Sequence, residues 1–118
     1  MTHYLFTWIV RPSSEYEEYL SFPSIQHARA YAAKLLRTEP MAQYGKVYES
    51  FPKVINEIPY NAKIVSIITS GRTITILSYK NRLYVEKVKK NTKGQNYLVF
   101  YPMSANGVVS NRSVRNIM

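Results

Sequence analysis

The chain has 118 residues, of which 46% are hydrophobic and 14% aromatic, with four glycines, six prolines and no cysteine. Such a composition is typical of one small globular domain over residues 1–118, and it excludes a coiled coil, a collagen-like chain and a disulfide-stapled secreted module. Sixteen lysines and arginines outnumber seven acids, all of them glutamate, so the formal net charge is +9. An excess of this size favours a polyanionic partner.

The positive charge is concentrated in the second half of the chain. Residues 1–58 contain six basic and six acidic residues, whereas residues 59–118 contain ten basic residues and a single acid, Glu86. Six of those ten bases lie within residues 80–93. Because charge that is segregated along a sequence can create a local positive potential, this asymmetry indicates a site for nucleic acid or another polyanion.

The first forty residues predict a β-hairpin followed by a helix. His3–Arg11 is rich in aromatic and β-branched residues, which favour a strand, and Pro12 ends it. Ser14 and Glu17 match a helical capping box, but we interpret Glu15–Phe22 as a strand that pairs with the first.

An amphipathic helix is predicted from Ser24 to about Arg37, since Pro40 forbids its continuation. Its apolar positions follow the helical spacing of one buried stripe: Ile25, Ala28, Ala32, Leu35 and Leu36. A second, shorter helix is predicted after Ser50, where the same spacing recurs until Pro59.

After Pro59 the apolar residues recur every second position, which predicts strands. Short connections between them force antiparallel neighbours, so we expect a four-stranded meander. The predicted strands are Ala62–Ser70, Thr73–Tyr79, Arg82–Lys90 and Gln95–Tyr101, joined by loops at 71–72, 80–81 and 91–94. Residues 103–118 are polar and are expected to add an edge strand at Gly107–Ser110 and then a flexible tail. The fold class is therefore α+β.

The loop lengths fix a register, and the register predicts a tyrosine-rich sheet face. A four-residue loop at 91–94 would place Tyr84 opposite Tyr101. The face away from the predicted core would then carry Tyr79, Arg82, Tyr84, Val88, Lys90, Tyr97 and Tyr101. Tyrosine rings can stack on unpaired bases while neighbouring cations neutralise phosphates. Cross-strand tyrosines are also ordinary sheet stabilisers, so a basic surface that binds phosphate without stacking remains the simpler interpretation.

These patterns predict a non-catalytic accessory protein of bacterial or mobile-element type, such as a phage protein, that binds nucleic acid or a nucleoprotein. The residues expected to make the contacts are Arg72, Lys80, Arg82, Tyr84, Lys87, Lys89, Lys90, Lys93, Tyr97, Tyr101, Arg112 and Arg115. The sequence does not distinguish DNA from RNA.

The sequence supports no metal site, cofactor or catalytic group. The two histidines, His3 and His27, lie on different predicted elements, and there is no cysteine or aspartate to complete a ligand set. Four dispersed glycines do not form a nucleotide-binding loop. A hard cation at Glu15, Glu17 and Glu18 is the weaker interpretation, because acidic loops are usually solvated.

Two other functions stay open. A protein–protein inhibitor or adaptor could use the same charge to dock on a nucleic-acid-processing enzyme. A small metal-independent ribonuclease could use residues such as Arg72, Arg82, Tyr84, Lys87 and Tyr97 as proton shuttles and charge stabilisers. The order of helices before a basic antiparallel sheet resembles that of RelE-type mRNA-cleaving toxins, although no motif is matched.

The sequence predicts a cytoplasmic protein, because the apolar run at residues 4–10 is too short for a signal peptide or a membrane span. It also allows a homodimer through an edge strand, for which His3–Val10 and Gln95–Tyr101 are the candidates.

Overall fold

A computed structural model of the protein describes residues 1–11, 14–40, 58–59 and 61–117. Within these residues the fold is α+β, with one helix and a single six-stranded antiparallel sheet. The elements are β1 (Thr2–Arg11), β2 (Ser14–Phe22), α1 (Ile25–Thr38), β3 (Lys63–Thr69), β4 (Arg72–Tyr79), β5 (Arg82–Lys90) and β6 (Asn96–Met103). The strand order is β2-β1-β3-β4-β5-β6. No helix among the described residues is both long enough and apolar enough to cross a membrane.

The first hairpin and the helix agree with the sequence prediction. Strands β1 and β2 pair from Thr2 opposite Phe22 to Arg11 opposite Ser14. Ser24 caps α1, because its side-chain oxygen accepts a hydrogen bond from the backbone N–H of His27. The residues of α1 that are buried against the sheet are Ala28, Ala32, Ala33, Leu35 and Leu36.

The four strands after residue 60 do not form a sheet of their own, which corrects the predicted meander. Strand β1 pairs with β3, Phe6 lying opposite Ile67 and Trp8 opposite Val65, so the hairpin and the later strands form one sheet. Val65 and Ile67 of β3 are buried. Without β1, the backbone N–H and C=O groups on that side of β3 would have no hydrogen-bond partner, and water could not reach them. The predicted second helix after Ser50 lies outside the described residues.

Two tight turns connect β3 to β4 and β4 to β5. The first is Ser70–Gly71, one residue earlier than predicted, so Arg72 belongs to the strand. Both of its residues have positive φ (47° and 75°), as do Lys80 and Asn81 in the second turn (50° and 63°). Positive φ at both positions is typical of the type I′ turn, whose twist matches that of a two-stranded hairpin.

The register of β5 and β6 differs by one residue from the prediction. Tyr84 lies opposite Pro102, and Tyr101 lies opposite Val85. The loop contains five residues, 91–95, because the Asn91 side-chain oxygen accepts the backbone N–H groups of both Lys93 and Gln95 and so draws Gln95 into the turn. A shift of one residue moves every side chain of β6 to the other face of the sheet.

Each face of the sheet carries a hydrophobic cluster. The face against α1, called the helix face below, contains these buried residues: Tyr4, Phe6, Val65, Ile67, Ile76, Val85 and Met103. The opposite face contains a smaller cluster: Ala62, Ile64, Leu77, Tyr84, Leu98 and Phe100. The shifted register of β6 places Leu98 and Phe100 on this opposite face, away from Val85.

The segment after β6 returns along the outer edge of that strand. Isolated bridges join Met103 to Val109 and Phe100 to Val114. Gly107 lies against α1, and its carbonyl accepts a hydrogen bond from the Arg29 side chain at 2.8 Å. Strand β1 lies between β2 and β3, so His3–Val10, one of the two candidate edge strands, is not at an edge of the sheet.

Candidate nucleic-acid interface

The predicted contact residues fall into two groups at opposite ends of the sheet. Strand β5 is nine residues long and begins at Arg82. With a rise of about 3.3 Å per residue, Arg82 and Lys90 are roughly 26 Å apart along the strand. Lys80 lies with Arg82 at one end, and the antiparallel order places Arg72 at the other end with the remaining lysines. The structure therefore divides what the sequence suggested was one basic surface.

Three cations and two tyrosines meet on the helix face of β5 and β6, in a cluster that we call the basic edge: Lys87, Lys89, Tyr97, Tyr101 and Arg115. The Lys87 and Lys89 ammonium nitrogens lie 5.1 and 5.6 Å from the centroid of the Tyr101 ring. The guanidinium carbon of Arg115 lies 4.3 Å from the centroid of the Tyr97 ring. All three distances are within the range of cation–π attraction.

Two different parts of the chain build the basic edge. The alternation of β5 places Lys87 and Lys89 on the same face as Val85, and Tyr101 is directly opposite Val85 on β6. Arg115 arrives from the C-terminal segment, which the bridge at Val114 fixes against β6. The bridge thus places the Arg115 guanidinium beside Tyr97, which is distant from it in sequence.

Hydrogen bonding couples Lys89 to Tyr101. A side-chain hydrogen bond to Lys89 lowers the pKa of Tyr101, and the positive charges of Lys89 and Lys87 and a hydrogen bond to Ser113 act in the same direction. The same bond raises the pKa of Lys89. The Lys89 ammonium is therefore charged at neutral pH.

The predicted tyrosine-rich face is not formed. Tyr84 is buried on the opposite face, where its ring packs edge-on against Phe100 at 6.3 Å. Tyr97 and Tyr101 are half-buried on the helix face because β6 has the shifted register. Tyr84 is therefore removed from the candidate contacts, while the other two tyrosines keep their place beside cations.

The other predicted bases surround the basic edge or lie at the far end of the sheet. Lys90, Lys93 and Arg72 are exposed at the end of the sheet where β5 finishes. Arg112 is exposed in the C-terminal segment, where its backbone N–H donates to the Ser110 side chain. At the far end are exposed Arg82 and exposed Lys80, whose ammonium lies 5.2 Å from the centroid of the Tyr79 ring.

The acid in the second half of the chain does not lie on the basic edge. Glu86 is only 8% exposed, and its partners in register, Thr75 and Phe100, place it on the opposite face. Lys87 and Lys89 therefore project from the other side of the sheet. Over the described ranges no group of three His, Cys, Asp or Glu residues could hold a metal ion.

Three of the five residues of the ribonuclease interpretation do not come together. Tyr84 is buried on the opposite face, Lys87 lies on the helix face, and Arg82 is at the far end of the strand. A shared proton-transfer site needs groups within hydrogen-bonding reach of one substrate atom, and this arrangement does not supply it.

The sequence prediction missed a second cationic site, a cleft of about 500 Å³ between α1 and the β4–β5 turn. Arg37, Lys63 and Lys80 line it. Arg37 and Lys63 belong to no local run of charge, because they are 26 positions apart in sequence. The only sequence signal was the position of Arg37 in the last turn of the helix, and this has an ordinary explanation in the helix dipole.

A scan against protein-family models finds no match, and neither the curated proteins nor the solved structures include one that is significantly similar to this chain.

Proposed function

We propose that the protein is a non-catalytic nucleic-acid-binding protein and that the basic edge binds the phosphate backbone. The observation that carries the proposal is the position of the two lysine ammonium groups of β5 over the Tyr101 ring. Lysine beside tyrosine offers a phosphate its counter-charge and offers a neighbouring base an aromatic surface.

The spacing of the cations supports a chain-like ligand. Lys87 and Lys89 are two residues apart on one strand face, which corresponds to about 6.6 Å. This separation is close to that of successive phosphates in an extended single strand, so one lysine can serve each phosphate. Arg115 continues the row over Tyr97.

The surroundings favour an extended anion over a single bound ion. Exposed cations lie beyond the basic edge along the C-terminal segment and at the end of β5: Arg72, Lys90, Lys93 and Arg112. Such a distribution provides contacts at several points along a strand, and each contact releases counterions from the nucleic acid.

A salt titration tests the proposal. With about five phosphate contacts, the plot of log K against log salt should have a slope near −4.5 on duplex DNA and near −3.5 on a single strand. Fluorescence anisotropy with labelled duplex DNA, single-stranded DNA and single-stranded RNA measures both slopes. Absence of binding to all three at 20 mM salt contradicts the proposal.

The inhibitor or adaptor function predicts a different result. A stoichiometric protein partner that remains bound after nuclease digestion, together with no salt-dependent binding to purified nucleic acid, would assign the basic edge to an acidic protein surface. Co-purification with and without nuclease, followed by the anisotropy measurement, separates the two functions.

A further inference from the structure

The cleft between α1 and the β4–β5 turn concentrates positive charge from three separate parts of the chain. Arg37 is in the last turn of α1, Lys63 is the first residue of β3, and Lys80 is in the β4–β5 turn. The positive φ angles of Lys80 and Asn81 define a tight turn, so the backbone that carries Lys80 is fixed. Convergence of three cations on one concave surface raises the local positive potential above that of isolated surface charges.

No carboxylate is present among the described residues that line this cleft; its polar neighbours are Asn61, Ser78 and Asn81. The C-terminal end of a helix carries roughly half a negative charge, which opposes an anion there. Two of its carbonyls are occupied, because Leu35 accepts the Glu39 N–H and Lys34 accepts the Thr38 hydroxyl. Three full positive charges outweigh this half charge, so the cleft is suited to an anion.

The remaining lining of the cleft is apolar. Ala33 and Leu36 of the helix are buried, and Leu83 of β5 and Ala105 complete the apolar part. A second groove of about 380 Å³ shares Asn81, Leu83 and Ala105 with this cleft and leads to Arg82 and Tyr84. A ligand that fills both therefore has an anionic group and a part that can pack against apolar side chains, which agrees with small-molecule pockets of this size, whose lining is mostly apolar with a few polar groups.

We propose that this cleft binds the terminal phosphate of a nucleotide, with the sugar and base extending along the adjoining groove. Arg37 supplies the planar fork that suits phosphate oxygens, and Lys63 and Lys80 supply point charges. The ligand is either a free nucleotide or the 5′-phosphate of a strand, since both present the same chemistry. The site is distinct from the basic edge, because the two lie at opposite ends of the sheet, and it does not depend on the function proposed for that edge.

NMR titration of the whole chain locates the site. Inorganic phosphate, ADP, and one oligonucleotide with either a 5′-phosphate or a 5′-hydroxyl are added separately to ¹⁵N-labelled protein. We expect ADP to shift the backbone amides of Arg37, Lys63 and Asn81 more than those of Lys87 and Lys89. Shifts confined to the basic edge, or no shift with any of the four ligands, overturn the proposal.

Paired variants test the assignment of the cations. Lys63→Gln with Lys80→Gln replaces two ammonium groups with neutral amides and so removes two charges, and the Kd for ADP should therefore rise at least tenfold. The matched control is Lys87→Gln with Lys89→Gln, which removes the same charge from the basic edge and should leave the Kd for ADP within twofold. Equal losses in both variants overturn the proposal, because they would show a general effect of net charge.

The oligonucleotide comparison identifies the source of the phosphate. If the 5′-phosphorylated strand binds at least fivefold more tightly than its 5′-hydroxyl form, and the cleft variant abolishes that difference, the ligand is a strand end. If ADP binds the cleft and the two strands bind equally, the ligand is a free nucleotide. A failure of strand binding at the basic edge leaves the ADP result unchanged, so the two proposals fail separately.

Discussion

Two edges of the same sheet use tyrosine in opposite ways. On β2, which carries Glu15, Glu17 and Glu18 and is called the acidic edge here, the Tyr31 hydroxyl of α1 donates to the Glu18 carboxylate at 2.5 Å. Burial first, and then this bond and the negative charge, raise the pKa of Tyr31 to about 12. On the basic edge the hydrogen bond to Lys89 lowers the pKa of Tyr101. The hydrogen bond between Tyr31 and Glu18 connects α1 to β2, whereas Lys87 and Lys89 lie beside the Tyr101 ring without burying it.

The strand order separates the acidic and the basic residues in space as well as in sequence. Strand β2 is at one side of the sheet, and β5 is four strands away from it. With about 4.8 Å between neighbouring strands, the two are roughly 19 Å apart. That distance exceeds the Debye length of about 8 Å at physiological salt, so the acidic edge does not neutralise the basic edge.

The largest expected effect tests the basic edge directly. The variant Lys87→Gln, Lys89→Gln, Arg115→Gln removes three of the proposed phosphate contacts, which at 0.1 M salt should weaken binding to duplex DNA by about 500-fold and reduce the salt slope by about 2.7. Anisotropy titration at several salt concentrations measures both changes.

The acidic edge provides the control for that variant. Glu15→Gln with Glu17→Gln changes the net charge by two in exposed positions of β2. Because the separation of roughly 19 Å is well beyond the Debye length of about 10 Å at 0.1 M salt, it should alter affinity by less than about threefold. A gain as large as the loss at the basic edge would show that net charge, not position, controls binding.

Gly107 holds the C-terminal segment that supplies Arg115, so its replacement should loosen the basic edge. A Cβ there would lie 2.3 Å from the Gln26 carbonyl oxygen, and φ is +83°. Gly107→Ala should therefore lower the free energy of unfolding by about 3 kcal/mol, from steric overlap and backbone strain together. Urea denaturation measures this loss.

Gly94→Ala is the matched control, since Gly94 also has positive φ (+75°) but has nothing within 4 Å of an added Cβ. It isolates the backbone strain, for which about 1 kcal/mol is expected. Equal losses in both variants would show that the contact between Gly107 and α1 does not hold the segment.

At the acidic edge, Tyr31→Phe removes the hydrogen bond to Glu18 and should cost about 1 kcal/mol of stability at pH 7. Tyr19→Phe is the control, because Tyr19 is 65% exposed and should change nothing measurable.

The pH dependence of Tyr31 has a definite sign. Its folded pKa of about 12 lies above the ordinary value of 10, so the folded state holds this proton more tightly than the unfolded chain. The corresponding stability is fully present below pH 10 and is lost as the pH rises toward 12. Urea midpoints measured from pH 9 to 12 should fall more steeply for the wild type than for Tyr31→Phe. Parallel curves would contradict the assignment.

The smallest expected effect is at Tyr101. Its phenol should titrate below the ordinary pKa of 10, and Lys89→Gln should return the pKa toward that value because the main cause of the shift is removed. NMR titration of the tyrosine ring carbons measures the change. Lys93→Gln is the control and should leave the Tyr101 titration unaltered.

Local patterns were sufficient for individual elements and insufficient for the contact surface. The Ser24 cap, the apolar stripe of α1 and the period-two strands are properties of neighbouring residues, so they were predictable. The face occupied by Tyr97 and Tyr101 depends on one loop residue, Gln95, whose backbone N–H is held by the Asn91 side chain. Counting loop residues from the sequence placed that boundary one position too early.

The sequence by itself determined that the second half of the chain carries all the excess positive charge, since charge is a sum over residues and needs no geometry. Tertiary structure alone decided where that charge lies. Pairing of β1 with β3 and the bridge at Val114 join residues far apart in sequence, and the register of β6 depends on how the loop at 91–95 closes. Because a one-residue change in register reverses a strand face, local patterns could not predict that Lys80 belongs to a cleft with Arg37 while Lys89 belongs to an edge with Tyr101.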